Sequence, residues 1–253
     1  MTDPDHAADA PASDPSARGM MSLARTMLPP AERGDPTEPA WRTGFVVVSA
    51  AVLLVIPEYA PAPADADRFG RLAAWAAWIV ACWGVAPILL WKFVLGRSLG
   101  DLGLGLGRTR KHLPIYAGMA VLMAPIVVLM SATRAFQDKY PFLRVDPHAI
   151  DWARLLQWEL LYALQFVALE LFFRGYLTLG LRRRLGGDAV WVMVIPYCMI
   201  HFGKPLPETL AAIIAGVALG SLALRTRSIW MGAALHIAVA WSMDAASLMR
   251  QAG

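Results

Sequence analysis

Charge and cysteine are both scarce in this chain. Only 17% of residues are Asp, Glu, Lys or Arg, against 57% hydrophobic, and mean hydropathy is positive. That balance excludes an ordinary soluble domain and points to a multi-pass membrane protein. The net charge of +4 is then no nucleic-acid signal, because Lys and Arg of membrane proteins gather in cytoplasmic loops. The two cysteines, Cys82 and Cys198, sit in apolar runs without CxxC or Cys/His spacing. This excludes a disulfide framework and a cysteine zinc knot and leaves core packing. Also missing is a short apolar segment near Met1 followed by a small-residue cleavage site, so no cleavable signal peptide is expected. The glycine-rich stretch 96–114, GRSLGDLGLGLGRTRKHLP, lacks the GxxxxGK[ST] pattern of a phosphate loop. It reads as a basic connector near lipid headgroups.

What the chain does have is seven apolar runs. They cover about 41–57, 72–95, 114–132, 155–181, 189–202, 209–224 and 229–249. The expected fold is therefore all-α, a multi-pass membrane helical bundle of about seven transmembrane helices. Residues 1–40, rich in Asp, Ala, Pro and Ser, form an expected disordered cytoplasmic tail, and 41–250 the bundle. The fifth run is short for a bilayer, and Pro196 should kink it. Fourteen Lys and Arg fall on the side of the N-terminus and eight on the other, which predicts a cytoplasmic N-terminus and an outer C-terminus in the cell membrane. The segment 133–151 mixes aromatic and charged residues, which suits an interfacial stretch or a lid over a substrate entrance.

Chemistry concentrates in the last four runs. Glu170 and Arg174 lie four apart in FVALELFFRGY, one helical turn, with Glu first in the favourable order. An ionisable group at bilayer depth costs roughly 2.5–3.5 kcal/mol, so it marks a protein-facing or functional position. Glu159, Tyr162, Phe166, Glu170 and Arg174 share one stripe, but Glu159 is about 16 Å from Glu170 along the axis and cannot pair with it. In the seventh run Gly232, His236, Ala240 and Asp244 recur every four residues, and in the sixth Glu208, Ala212, Gly216 and Gly220 form a close-packing face. Glu170, His201 and His236 fall at about 16, 20 and 12 Å of helix rise, compatible with one depth. One carboxylate and two imidazoles could hold zinc with a fourth position open to water. They could equally bind water without metal, the carboxylate acting as base and the imidazoles stabilising an oxyanion.

ELFFRG at 170–175, YCMIH at 197–201 and HIAVA from 236 together resemble the three motifs of the CPBP family. These are intramembrane endopeptidases related to the type II CAAX prenyl protease and to bacteriocin-processing and immunity proteins. The resemblance spans about 152–244 and implies hydrolysis of peptide bonds in membrane-associated, lipidated or unlipidated substrates. It carries over Glu170, Arg174, His201 and His236 as site residues, with metal dependence open. Two positions depart from the motifs, Leu169 for the first glutamate and Ala240 for the final Asn or Asp. Glu170 could serve as base after a helix rotation, or Glu208 or Asp244 could enter from another span. The alternative is an inactive member that binds membrane segments as a scaffold. The expected partners are a membrane peptide or protein substrate and the bilayer.

Overall fold

The computed structural model describes residues 15–61 and 63–252. Ten helices follow in order, and no strand occurs among the described residues. They are α1 (Pro15–Met27), α2 (Ala40–Tyr59), α3 (Arg68–Val94), α4 (Thr109–Met130) and the short α5 (Arg134–Gln137). Then come α6 (Trp152–Glu170), which runs through a wide-turned segment (Leu171–Leu179) into α7 (Gly180–Leu185), and α8 (Ala189–Met199), α9 (Leu206–Thr226) and α10 (Trp230–Ala252).

All seven apolar runs are helical. Five stretches are long and apolar enough to cross a membrane: Ala40–Tyr59, Arg68–Val94, Thr109–Met130, Trp152–Met199 and Leu206–Thr226. The difference from seven has two causes. The fourth and fifth runs are parted only by a tight turn at Gly186, whose φ of 58° suits glycine. The seventh run is interrupted by His236 and Asp244, which lower its apolarity. The fold is a multi-pass helical bundle.

At its centre lies the wide-turned segment. Residues 168–179 are buried on every side, as expected of a helix apolar all round. Its backbone bonds span i to i+5, and Thr178 Oγ1 donates 2.8 Å to the Phe173 carbonyl within it. Single π turns of this kind recur at functional sites. Trp83 packs on Phe172 and Phe173, while Trp91 packs edge-on against Tyr176. A side chain at Gly175 would collide with the Leu102 carbonyl, so the motif glycine admits the 96–108 loop to the core. That loop's glycines serve close approach as well. Gly107, at φ 51°, abuts the Thr226 carbonyl, and Ile229 N donates 3.0 Å to Gly103 O.

The close-packing face of α9 behaves as its spacing predicts. Gly216 meets Tyr197 and Val194, and Gly220 meets Met193 and Val190, all of α8. Pro196 lies in the last turn of α8, and the helix ends at Met199.

The expectation of a disordered tail over 1–40 needs correction from residue 15 onward. Residues 1–14 lie outside the described residues. Beyond them α1 forms, and 28–38 run as a strap across one end of the bundle. Arginine donors hold it by its backbone carbonyls: Arg225 reaches those of Arg25, Thr26 and Leu28, and Arg184 those of Pro36 and Glu38. Glu32 pairs with Arg182 and Arg227, and Glu38 with Arg97. Composition misled because the strap is ordered by charge and backbone bonds contributed by distant loops, not by its own apolar content. Opposite it, residues 131–151 form a packed cap with Phe136, Tyr140 and Leu143 buried. Arg68 donates to the Phe142 carbonyl, and Arg144 to those of Gln137, Asp138 and Tyr140.

Candidate active site

The site forms where the start of the wide-turned segment faces α8 and α10. Glu170 ends α6 at 1% exposure, and Arg174, fully buried, lies one wide turn on with Nη1 3.3 Å from Glu170 Oε1. The same carboxylate oxygen lies 2.8 Å from His236 Nδ1 of α10. Gly232, one turn before His236, makes this possible, since a Cβ there would run into the Glu170 carboxylate. Neither the arginine nor the imidazole N–H is aligned on the carboxylate as a full hydrogen bond. Such contacts commonly tighten only when substrate is bound.

His236 is fixed from two further directions. The Phe166 ring of α6 stacks on it at 5.6 Å and 3°. Its Nε2 lies 2.9 Å from the Tyr197 hydroxyl of α8. With Nδ1 turned to the carboxylate, Nε2 is the acceptor and Tyr197 the donor. The Tyr197 ring also carries the Arg174 guanidinium on its face at 4.1 Å, a cation–π contact that offsets part of the cost of burying that charge. His201 follows in the turn after α8, where its Nδ1 donates 2.8 Å to the Tyr197 carbonyl. A carbonyl can only accept, so Nδ1 carries the proton and Nε2 presents a free lone pair. Tyr197 thus touches both imidazoles edge-on, at 4.9 and 6.3 Å.

Glu170, Arg174 and His236 therefore meet directly, and His201 joins them through Tyr197. The sequence puts Tyr197 one turn before His201 and Gly232 one turn before His236, but it does not bring Tyr197 to His236 or Gly232 to Glu170. The spacing of four held both signals, but the partner helix could not be read from it.

Leu169 and Ala240 are both buried among apolar neighbours and supply neither base nor amide. The idea that Glu208 or Asp244 enters the site is not met. Glu208 accepts from Tyr140 at 2.9 Å and Lys204 at 2.7 Å, under the cap. Asp244 faces Glu159. Among the described residues no three His, Cys, Asp or Glu side chains converge as a metal-holding group. The set Glu170, His201 and His236 does not assemble as three ligands, since His236 Nδ1 faces Glu170, His236 Nε2 faces the Tyr197 hydroxyl and His201 Nδ1 faces the Tyr197 carbonyl.

With this geometry in place, comparison with known proteins gives one finding. Residues 151–242 match the family model described as type II CAAX prenyl endopeptidase Rce1-like. The matched segment begins at the cap of α6 and ends on α10, enclosing every site residue named above. The resemblance carried by the three motifs is thereby shown over that segment, which is similar to Rce1-like type II CAAX prenyl endopeptidases, and the chain is a membrane protein. No curated protein and no solved structure matches the chain.

Proposed function

We propose that the chain is an intramembrane endopeptidase that hydrolyses peptide bonds of membrane-associated, including lipidated, proteins with a histidine-activated water. The observation that carries this reading is the 2.8 Å contact of Glu170 with His236, joined to His201 through Tyr197 inside the matched segment. The free Nε2 of His201 takes a proton from water, and the water oxygen attacks the scissile carbonyl carbon. His236, once it has taken a second proton from solvent with Glu170 as its counter-ion, presents Nε2–H to the developing oxyanion in place of the hydrogen bond it accepts from Tyr197 at rest. As the tetrahedral carbon collapses, the proton held by His201 passes to the leaving amine. Arg174 keeps the Glu170 carboxylate in place. In this assignment Glu170 is a positioning residue, and the departure at Leu169 is tolerated because an imidazole is the base.

The N-terminal strap is cytoplasmic in this reading and the C-terminus outer, in agreement with the arginine tally. Arg97, Arg182, Arg184, Arg225 and Arg227, which come from three loops, all contact the N-terminal segment 25–38.

The test is cleavage by purified full-length protein in liposomes, using one synthetic C-terminal peptide in lipidated and unlipidated forms, with products read by mass. His201→Ala and His236→Ala should each lower turnover by roughly 10²–10⁴-fold. A second reading, a non-catalytic binder of hydrophobic segments, is favoured by Leu169 and Ala240. Peptide binding by wild type without product from either form would select it.

A further inference from the structure

Eleven residues before Glu170, the same helix carries a second, half-buried carboxyl group whose surroundings are quite different. Glu159 of α6 and Asp244 of α10 face each other where the two helices pack, at the level where Trp241 Nε1 of α10 donates 3.3 Å to the Glu159 carbonyl. Asp244 is 2% exposed. Neither of its oxygens, nor Glu159 Oε2, is aligned with a hydrogen-bond donor among the described residues. The backbone N–H of Phe142 and the indole N–H of fully buried Trp158 also approach Asp244 without alignment. Two ionised carboxylates have no hydrogen to share and repel each other strongly in a medium of low dielectric.

The neighbours do not neutralise the pair. Tyr162 of α6 and Tyr140 of the cap face Asp244 with phenols, and the burial of Tyr140 beside Glu208 raises its pKa well above the usual range. Lys204, between α8 and α9, faces Asp244, and it already pairs with Glu208 at 2.7 Å. Two carboxyl groups, Asp244 and Glu208, thus draw on one ammonium, and Glu159 gains none of it.

We infer that Glu159 and Asp244 form a binding site for a single shared proton, which clamps α6 to α10 at the capped end of the bundle. A proton between two carboxyl oxygens supplies the missing donor and removes one negative charge. The clamp lies across the two helices that bring Glu170 to His236, so it helps set their separation. This inference does not rest on the protease reading.

Its test needs no substrate. Thermal unfolding of the full chain in detergent, followed as pH is raised from acid to mildly alkaline, should show wild type losing stability. The sign follows because the folded state holds a proton that the unfolded chain has already released, so stability is present at low pH and falls as pH rises through the folded pair's titration. Glu159→Gln supplies a permanent amide donor and should flatten that slope, as should Asp244→Asn if the first variant fails to fold. In infrared titration, wild type should lose a protonated-carboxyl C=O band over the same interval, and Glu159→Gln should lack that band. Equal slopes in wild type and both variants, no such band, or stability that follows sodium or calcium concentration in place of pH would each overturn the proposal.

Discussion

Two glutamates on one helix have opposite settings. Glu170 meets a guanidinium, an imidazole and a glycine that leaves room for it, whereas Glu159 meets another carboxyl group. Both lie on the inward stripe of α6, and nothing in their own residue type distinguishes them. What differs is the helix opposite: α10 presents His236 to one and Asp244 to the other, eight residues apart on a single stripe. A buried carboxyl group thus takes its role from its partner, ionised beside cations or sharing a proton beside its own kind.

The largest expected effect comes from breaking the charged half of this comparison. Arg174→Met removes the guanidinium from a fully buried pair and strands Glu170, which should destabilise the protein by about 3–5 kcal/mol. Adding Glu170→Gln to that variant should recover part of the loss, since the uncompensated charge goes with it. Denaturant unfolding of both variants in detergent checks the pair.

Crowding the same carboxylate is the next test. Gly232→Ala places a methyl group against Glu170 and should cost about 1–3 kcal/mol, with cleavage falling further than stability because the His236 contact is displaced. Equal stability and turnover in Gly232→Ala would show that the close approach has no role.

The remaining predictions reach the rest of the molecule. Glu32→Ala breaks part-exposed pairs to Arg182 and Arg227 on the strap, so it should cost about 1 kcal/mol or less, shrinking further in high salt. The smallest change is expected on chelation. Protein dialysed against EDTA should keep both its melting temperature and its cleavage of the liposomal peptide, because the side chains in the site assemble no three-ligand group. Loss of activity restored by zinc would place a metal between the histidines and replace the water mechanism above.

The apolar runs by themselves determined the helices and the bundle, because a chain in lipid must satisfy its backbone internally and can do so only in a few ways. The i,i+4 spacing likewise placed Glu170 with Arg174, and the stripe Glu159, Tyr162, Phe166 and Glu170 on one inward face, since helical periodicity is local. Three further features required tertiary structure. The strap looked disordered because its order depends on arginines some 150–200 residues away in sequence. Tyr197 joined the two histidines only once α8 had packed beside α10, which the spacing within neither helix dictates. Which carboxyl group met an imidazole and which met another acid was decided by the register between α6 and α10. Register is a property of two packed helices, and the periodicity of either one leaves it free.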